Sequence, residues 1–419
     1  MKSLVFLSAF VLSSVALANN WYDRGNAGFA ILCAGGVKAQ TLDLYEVSER
    51  HGLVASYSNK SSAVEKAVDL LSRLNSLDPA RAKMYRLWAQ DFMGSATFVA
   101  AANEFVKTPD AGLVTLPTDC KLEQAVFQRN PSILNKSRYI VNSTLWNKLD
   151  ADNQAALIVH EVIYREFMNS LAFEVTSERI RAFNSFIHAD GLKTLSAQEY
   201  LAFLQELHFT NYEYKGLNLA LGYTDTKGAW NNSILVFENG NVVRASLSGR
   251  HPFERSYFKF YCDDTATTPD LGTVTLNSEG LLISLRVNSD FVQKNECALP
   301  FIPYESAKGQ FIISGTSWEF DANEKPVTVK GALSTAEQFQ LNYAGTNYVL
   351  AWDPFKPVTV ETQFTFDKEM NLRKIALGGA ACRSPLNQSV IFTPRNFSSD
   401  SVISLDENGV MTSELGLCF

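Results

Sequence analysis

The apolar residues of this chain change their period near Asn211, and no single regular architecture satisfies both halves. From about Ser61 to Leu207 they recur every three or four residues, the spacing of amphipathic helices. Beyond Asn211 they alternate, and turn-forming residues multiply, as in antiparallel strands. The fold class this predicts is α+β: a helical domain over 19–210, then a mostly antiparallel β region of repeated hairpins. The β region reads as two subdomains, 211–300 and 301–419, joined near Pro300 to Pro303. With 419 residues the chain exceeds what one hydrophobic core usually covers, which also favours two or three domains.

In the helical half, "SSAVEKAVDLLSRLNSL" sets Val64, Ala67, Val68 and Leu71 on one side, and "PARAKMYRLWAQDFMGSATFVAAANEF" reads as one long helix with Pro79 near its start. Asp150 suits the cap of a long helix, and Ser196 with Glu199 has the spacing of a capping box. In the β half, five segments starting at Val236, Val274, Trp318, Phe364 and Ile403 each read as strand, polar turn, strand. Phe237, Leu276, Phe320, Phe366 and Leu405 hold the matching position, at separations of 39, 44, 46 and 39 residues. That spacing suggests internal repetition, although similar turn chemistry recurs in any β-meander. Leu415, Leu417 and Phe419 alternate like the last strand of an outer-membrane barrel, but several strands look too short and too polar on both faces for a lipid-facing band.

The start of the chain, MKSLVFLSAFVLSSVALA, has a basic Lys2, an apolar run and a small-x-small end, so residues 1–18 are expected to be a cleaved secretory signal and Asn19 the mature terminus. This predicts export to the periplasm, the outer envelope or the medium. No later stretch approaches the roughly 18 apolar residues of a transmembrane helix. Six cysteines in an exported chain suggest bridges. Among the possible pairings, Cys33 with Cys120, Cys262 with Cys297 and Cys382 with Cys418 keep each bridge within its own region. None forms a C-x-x-C pair, which argues against a thiol redox or thiolate zinc site. With 37 basic and 44 acidic residues the formal charge is -7, and removal of Lys2 with the signal leaves 36 minus 44, or -8. An acidic balance disfavours nucleic acid as a partner, because such binding depends on basic patches.

The stretch that most resembles a catalytic motif is "ALIVHEVIYREF", residues 156–167. A zinc peptidase would carry H-E-x-x-H; here the fifth position is Tyr164. On a helical wheel Ala155, Ile158, Val159, Val162 and Ile163 form one apolar arc that includes Glu166, with His160 and Tyr164 on its flank and Glu161 further round. Read as a modified zincin site, His160 and Glu178 would be metal ligands, Glu161 the general base, and Tyr164 a weak ligand or an oxyanion donor. Tyrosine, with a pKa near 10, holds zinc poorly compared with a second imidazole. The other reading is a hydrogen-bonded polar network between packed helices, in which Arg179 or Arg181 neutralises Glu166. A third possibility is a ligand pocket without metal. The remaining histidines, His51, His188, His208 and His251, have no partner at ligand spacing, and no nucleophile elbow, phosphate loop or dinucleotide fingerprint occurs.

"RGNAGFAILC" at Arg24 to Cys33, "LDLYE" at Leu42 to Glu46, Cys120, "LWNKL" at Leu145 to Leu149, "QAALIVHEVIYRE" at Gln154 to Glu166 and "SERIRAFNSFI" at Ser177 to Ile187 together resemble a family of uncharacterised exported bacterial proteins. The resemblance covers about half of the mature chain and carries no activity with it. Similarity to gluzincins rests on the single helix around His160. The sequence therefore points to an exported cell-envelope protein that binds or supports an envelope or protein partner without catalysis and without a cofactor. The alternative is a metal-dependent hydrolase, and zinc enters only under that alternative.

Overall fold

The computed structural model describes residues 27–33, 39–100, 114–129, 131, 137–169, 177–225, 227–248, 253–255, 258–262, 272–287, 297–306, 309–333, 339–343, 346–350, 362–377, 382–383, 390–392, 401–407, 412 and 416–417. The expected signal over 1–18, the mature start at Asn19, and Cys418 and Phe419 lie outside the described residues. The chain divides into two compact units, one of residues 1–73, 82–166 and 175–190, the other of 74–81, 167–174 and 191–419.

The first unit is mixed. Strands β1 (Ala27–Cys33) and β2 (Ala39–Thr41) lead into helix α1 (Leu42–Glu49), followed by α2 (Ala63–Leu71), α3 (Pro79–Gln90) and strand β3 (Ala96–Val99). Strands β4 (Cys120–Gln128) and β5 (Tyr139–Asn142) precede helices α4 (Ser143–Trp146), α5 (Ala151–Asn169) and α6 (Ser177–His188). The strands form one sheet in the order β2-β1-β4-β5-β3, antiparallel except for the parallel pair β3 and β5. Periodicity alone made this half a helical domain, and the sheet is the main difference. The anticipated long helix from Pro79 stops at Gln90, where Ser95 bonds back to Asp91 and the extended Thr97, Phe98 and Val99 pair with β5. Cys33 and Cys120 are register partners at the ends of β1 and β4 and form a disulfide. A cross-link that closes 87 residues of sequence stabilises the fold by roughly 5 kcal/mol on the loop-entropy argument.

Helix α5 sits at the centre of this unit because its sequence leaves it no exposed face. Every residue from Ala155 to Tyr164 is buried, as expected of a helix that is apolar almost all round. Asp150 caps it, with its carboxylate accepting from the Asn153 N–H at 3.0 Å. Towards α1, Ala156 packs with Leu44 and Val47. Towards the sheet, α5 approaches β1 so closely at Gly28 that a Cβ there would lie 2.7 Å from Leu157 Cδ2 and 3.0 Å from Glu161 Oε1. Only glycine fits that contact without displacing a neighbour.

The second unit opens with α7 (Ala197–Glu206), which has the Ser196 and Glu199 capping box its sequence suggests. Two hairpins follow, β6 (Asn211–Tyr214) with β7 (Leu217–Ala220) and β8 (Gly222–Thr224) with β9 (Trp230–Asn232). Near the start of this unit the buried Arg81 pairs with Asp78, which also accepts from the Tyr200 hydroxyl at 3.2 Å. The largest sheet then builds from β10 (Leu235–Glu238), β11 (Asn241–Ser246), β12 (Phe253–Arg255), β13 (Phe258–Cys262), β14 (Gly272–Leu276) and β15 (Leu282–Val287). It continues through β16 (Cys297–Ser306), β17 (Gly309–Phe320) and β18 (Pro326–Leu333). Strands β19 (Phe339–Tyr343), β20 (Thr346–Leu350), β21 (Thr362–Phe366), β22 (Leu372–Leu377), β23 (Cys382–Arg383), β24 (Val390–Phe392), β25 (Ser401–Ser404) and β26 (Gly416–Leu417) complete the chain.

The main path runs β10-β11-β14-β15-β17-β18-β21-β22-β25, all antiparallel, so hairpin follows hairpin. The repetition extends to atoms. Asn277, Asp321 and Asp367 each accept the N–H groups two and four residues later on Oδ1, at 2.8 to 3.0 Å. The fourth residue of each turn, Gly280, Glu324 or Met370, has a positive φ. A register shift falls just before each turn, at Leu276, Phe320 and Phe366. Ala245, Val274, Leu285, Trp318, Val329, Phe364 and Ile375 line up across successive strands and are all buried, so one face of the sheet is core. Pro300 and Pro303, expected at a linker, lie inside β16, which pairs with both β13 and β17. Pro300 falls at a ladder irregularity, where a missing N–H is tolerated. The expected partners Cys262 and Cys297 sit opposite each other in the β13–β16 register, and Cys382 pairs with Gly416 on the strand that leads to Cys418.

If the turn carboxylates hold the hairpins, Asp321→Ala and Asp367→Ala should each lower stability by about 1 kcal/mol in a denaturant titration, while Asp321→Asn, which keeps the acceptor, stays near wild type. Equal losses for Asn and Ala would show that the side-chain acceptor is not what fixes the turn.

Candidate functional site

The residues singled out on α5 divide between its two sides. His160 faces α1 and α6. Its Nδ1 lies 2.8 Å from Asp43 Oδ1, and both side chains are buried. Asp43 also accepts from Asn184 Nδ2 at 2.6 Å, and the same amide group donates to the Ala156 carbonyl at 2.9 Å, tying α6 to α1 and α5 together. The Thr41 hydroxyl caps α1 by accepting from the Leu44 N–H, and Thr41 donates to Asn153 of α5. Three residues along α1, Glu46 accepts from Arg181 Nε at 2.7 Å, and Arg181 Nη1 donates to the Ser177 hydroxyl at 2.6 Å. Asp43–His160 and Glu46–Arg181 are thus parallel buried ion pairs linking α1 to α5 and to α6.

Glu161 points the other way, towards the sheet. Its Oε1 accepts from the Gly28 N–H at 3.2 Å, beside a register shift between β1 and β4. Gln128 of β4 donates to the Glu161 backbone carbonyl. Glu161 Oε2 and His160 Nε2 have no hydrogen-bond partner among the described residues. Tyr164 is buried beyond them. Glu166 accepts from the Tyr85 hydroxyl of α3, and the neighbouring Arg165 lies over the Trp88 ring, 4.3 Å from its centroid.

The outcome differs from the sequence-based expectation in its partners. Arg181, one of the two arginines proposed for Glu166, donates to Glu46, and Glu166 accepts from Tyr85. Glu178, proposed as a metal ligand, lies on the exposed side of α6 against Arg50, which also reaches Glu46. Arg179, the neighbouring residue, is half-buried on the same helix. His160, Glu161, Tyr164 and Glu178 are therefore not gathered around one point, and no metal-holding group of three or more His, Cys, Asp or Glu side chains occurs among the described residues. Asp43, Glu46 and Asn184 were missed as partners. Their signal was present: Asp43 and Glu46 are three apart on α1, and Ser177, Arg181, Asn184, Ser185 and His188 recur on α6 at helical spacing among Ile180, Phe183 and Ile187, which marks a buried polar face.

Burial and pairing set the protonation of this centre. Burial opposes a charged His160, but the Asp43 carboxylate and its hydrogen bond outweigh it and raise the imidazole pKa above its ordinary 6.5. Burial likewise works against an ionised Asp43, and His160, Asn184 and Arg181 more than compensate, leaving its pKa lowered. Glu161 has no such counterweight. Burial dominates and carries its pKa up to about 7, with His160, Gln128 and Gly28 offsetting only part. His188, buried on α6, is pushed down to about 4 by burial.

These shifts give a signed pH dependence. Between 4.5 and about 7 the folded chain holds a proton on Glu161 that the unfolded chain has lost, so this stabilisation is complete below 4.5 and disappears as pH rises through about 7. Glu161→Gln should remove that slope, an effect of about 3 kcal/mol in the difference between wild-type and variant stability across the window. An unchanged slope in urea titrations at several pH values would place the titration elsewhere. Asp43→Asn leaves His160 buried without its counter-charge and should cost about 3 to 5 kcal/mol, whereas Glu178→Gln at the surface pair should cost less than about 1. Denaturation midpoints of the two variants test that contrast.

Searched against protein-family models, curated proteins and solved structures, the chain matches none of them.

Proposed function

We propose that this is an exported cell-envelope protein that binds a partner without catalysing a reaction, and that the outer face of the hairpin sheet is its binding surface. The carrying observation is the asymmetry of that sheet. One face is closed by Trp318, Phe364, Ile375 and their neighbours, while the other keeps Arg244, Arg286, Glu319, Lys330 and Lys374 exposed. A rigid antiparallel frame with one open polar face is suited to recognition.

The arrangement around His160 agrees with a structural role for the H-E-x-x-Y stretch. A general base or a metal-bound water must reach substrate, and His160 and Glu161 are wholly buried, with Nδ1 and Oε1 directed at Asp43 and Gly28. The metal-dependent hydrolase reading would need those bonds broken and Glu178 turned away from Arg50.

Hydroxyl-radical footprinting of the full chain, with and without an isolated envelope fraction, tests the proposal. Protection is expected at outer-face positions such as Lys330 and Lys374. Protection confined to other surfaces, or hydrolysis of peptide substrates that Glu161→Gln abolishes, would overturn it.

A further inference from the structure

The open face of the hairpin sheet carries its charge in a repeating pattern. Two rows of residues on the face opposite the core can be followed across the strands, all at least partly exposed except the buried Thr328. The first runs Arg244, Thr275, Ser284, Glu319, Thr328, Thr365, Lys374, and the second runs Thr273, Arg286, Ser317, Lys330, Gln363, Ala376. Arg244, Arg286, Lys330 and Lys374 fall on β11, β15, β18 and β22, the return strand of each successive hairpin. All four are exposed, and none forms an ion pair among the described residues. Strands on the main path alternate outgoing and return, so the cations recur every second strand, at about 10 Å for a strand spacing of about 4.8 Å, and the four span about 29 Å.

Glu319 is the one carboxylate on these rows, so the rows carry a formal +3 within a chain of net -7, with the exposed Glu238 on the β10 edge. The positions between the charges are hydroxyls and an amide, with no aromatic side chain among them. A protein partner of ordinary affinity needs aromatic or aliphatic anchors clustered near the centre of its site, and single-stranded nucleic acid needs rings on which bases stack; the rows carry no ring, and their exposed aliphatics, Val236 opposite Arg244 and Val402 opposite Ala376, stand at the two outer ends. The rows do supply regularly spaced cations with hydrogen-bonding groups between them on a flat surface. We infer that this face binds a linear acidic polysaccharide, a glycan of the uronate type whose carboxylates meet the four cations in turn while its hydroxyls bond to the intervening Ser and Thr side chains. This rests on the reading of the outer face as the binding surface and adds the chemistry of what binds.

The test uses the full chain and sodium polygalacturonate, with neutral dextran and duplex DNA as comparison polymers, in titration calorimetry at low and high salt. Wild type is expected to bind polygalacturonate but not dextran, and to weaken as salt rises. The double variant Arg286→Glu with Lys330→Glu should lose at least about tenfold in affinity with an unchanged circular dichroism spectrum, since both side chains are exposed. Glu319→Gln, which removes the opposing charge, should bind more tightly than wild type. Absence of polygalacturonate binding at low salt, equal binding by the charge-reversed variant, or stronger binding to duplex DNA would each overturn the inference. Footprint protection of Lys330 and Lys374 by the envelope fraction, with no polygalacturonate binding, would overturn the glycan while leaving the binding surface in place. No protection of that face would remove both.

Discussion

A helix buried on every side cannot hold ionisable groups unless its neighbours meet them, and in the first unit that requirement organises everything around α5. His160 and Glu161 are adjacent in sequence and so point about 100° apart. One demands a partner from the helical layer and the other from the sheet. Asp43 answers the first and the Gly28 N–H the second. The two demands fix the rotation of α5 between α1 and β1, while the Glu46–Arg181 pair fixes α6 on the same helix face. Apolar packing alone would tolerate sliding of Ala156 or Leu157 against their neighbours; a buried pair with one acceptable geometry does not.

The centre is also uneven, and the unevenness follows from which charges are compensated. Asp43 and His160 each hold the other's charge, which favours the ionised form of both in a place without solvent, and Glu46 is bonded to Arg181 beside them. Glu161 has the neighbouring His160, an amide and a backbone N–H, which together offset only part of its burial. Its neutral form is therefore favoured up to about pH 7.

The parts of the molecule that were legible in the sequence depend on local pattern. Caps at Asp150 and Ser196, the alternation beyond Asn211 and the matching positions Phe237, Leu276, Phe320 and Phe366 involve residues close in the chain, and each has its structural counterpart. The parts that were not legible depend on distant pairing. The sheet of the first unit joins β1 to β4, whose paired residues are as much as 100 positions apart (Ala27 and Phe127), with β3 hidden in what looks like the continuation of α3. The partner of His160 lies 117 residues away, and that of Glu166 lies on α3, 81 residues away. The H-E-x-x-Y pattern drew attention to the right helix, but the meaning of its residues was set by α1, whose "LDLYE" segment holds Asp43 and Glu46 without any catalytic spacing.

The identical turns at Asn277, Asp321 and Asp367 bear on how such a surface changes length. Along the main path a hairpin pairs with the one before and the one after, through ladders that use the same faces each time. Duplication or deletion of one hairpin would extend or shorten the sheet by two strands without calling for a new kind of core contact. The width of the sheet then becomes a discrete quantity, counted in hairpins, and it can evolve by recombination independently of the helix that holds the first unit together.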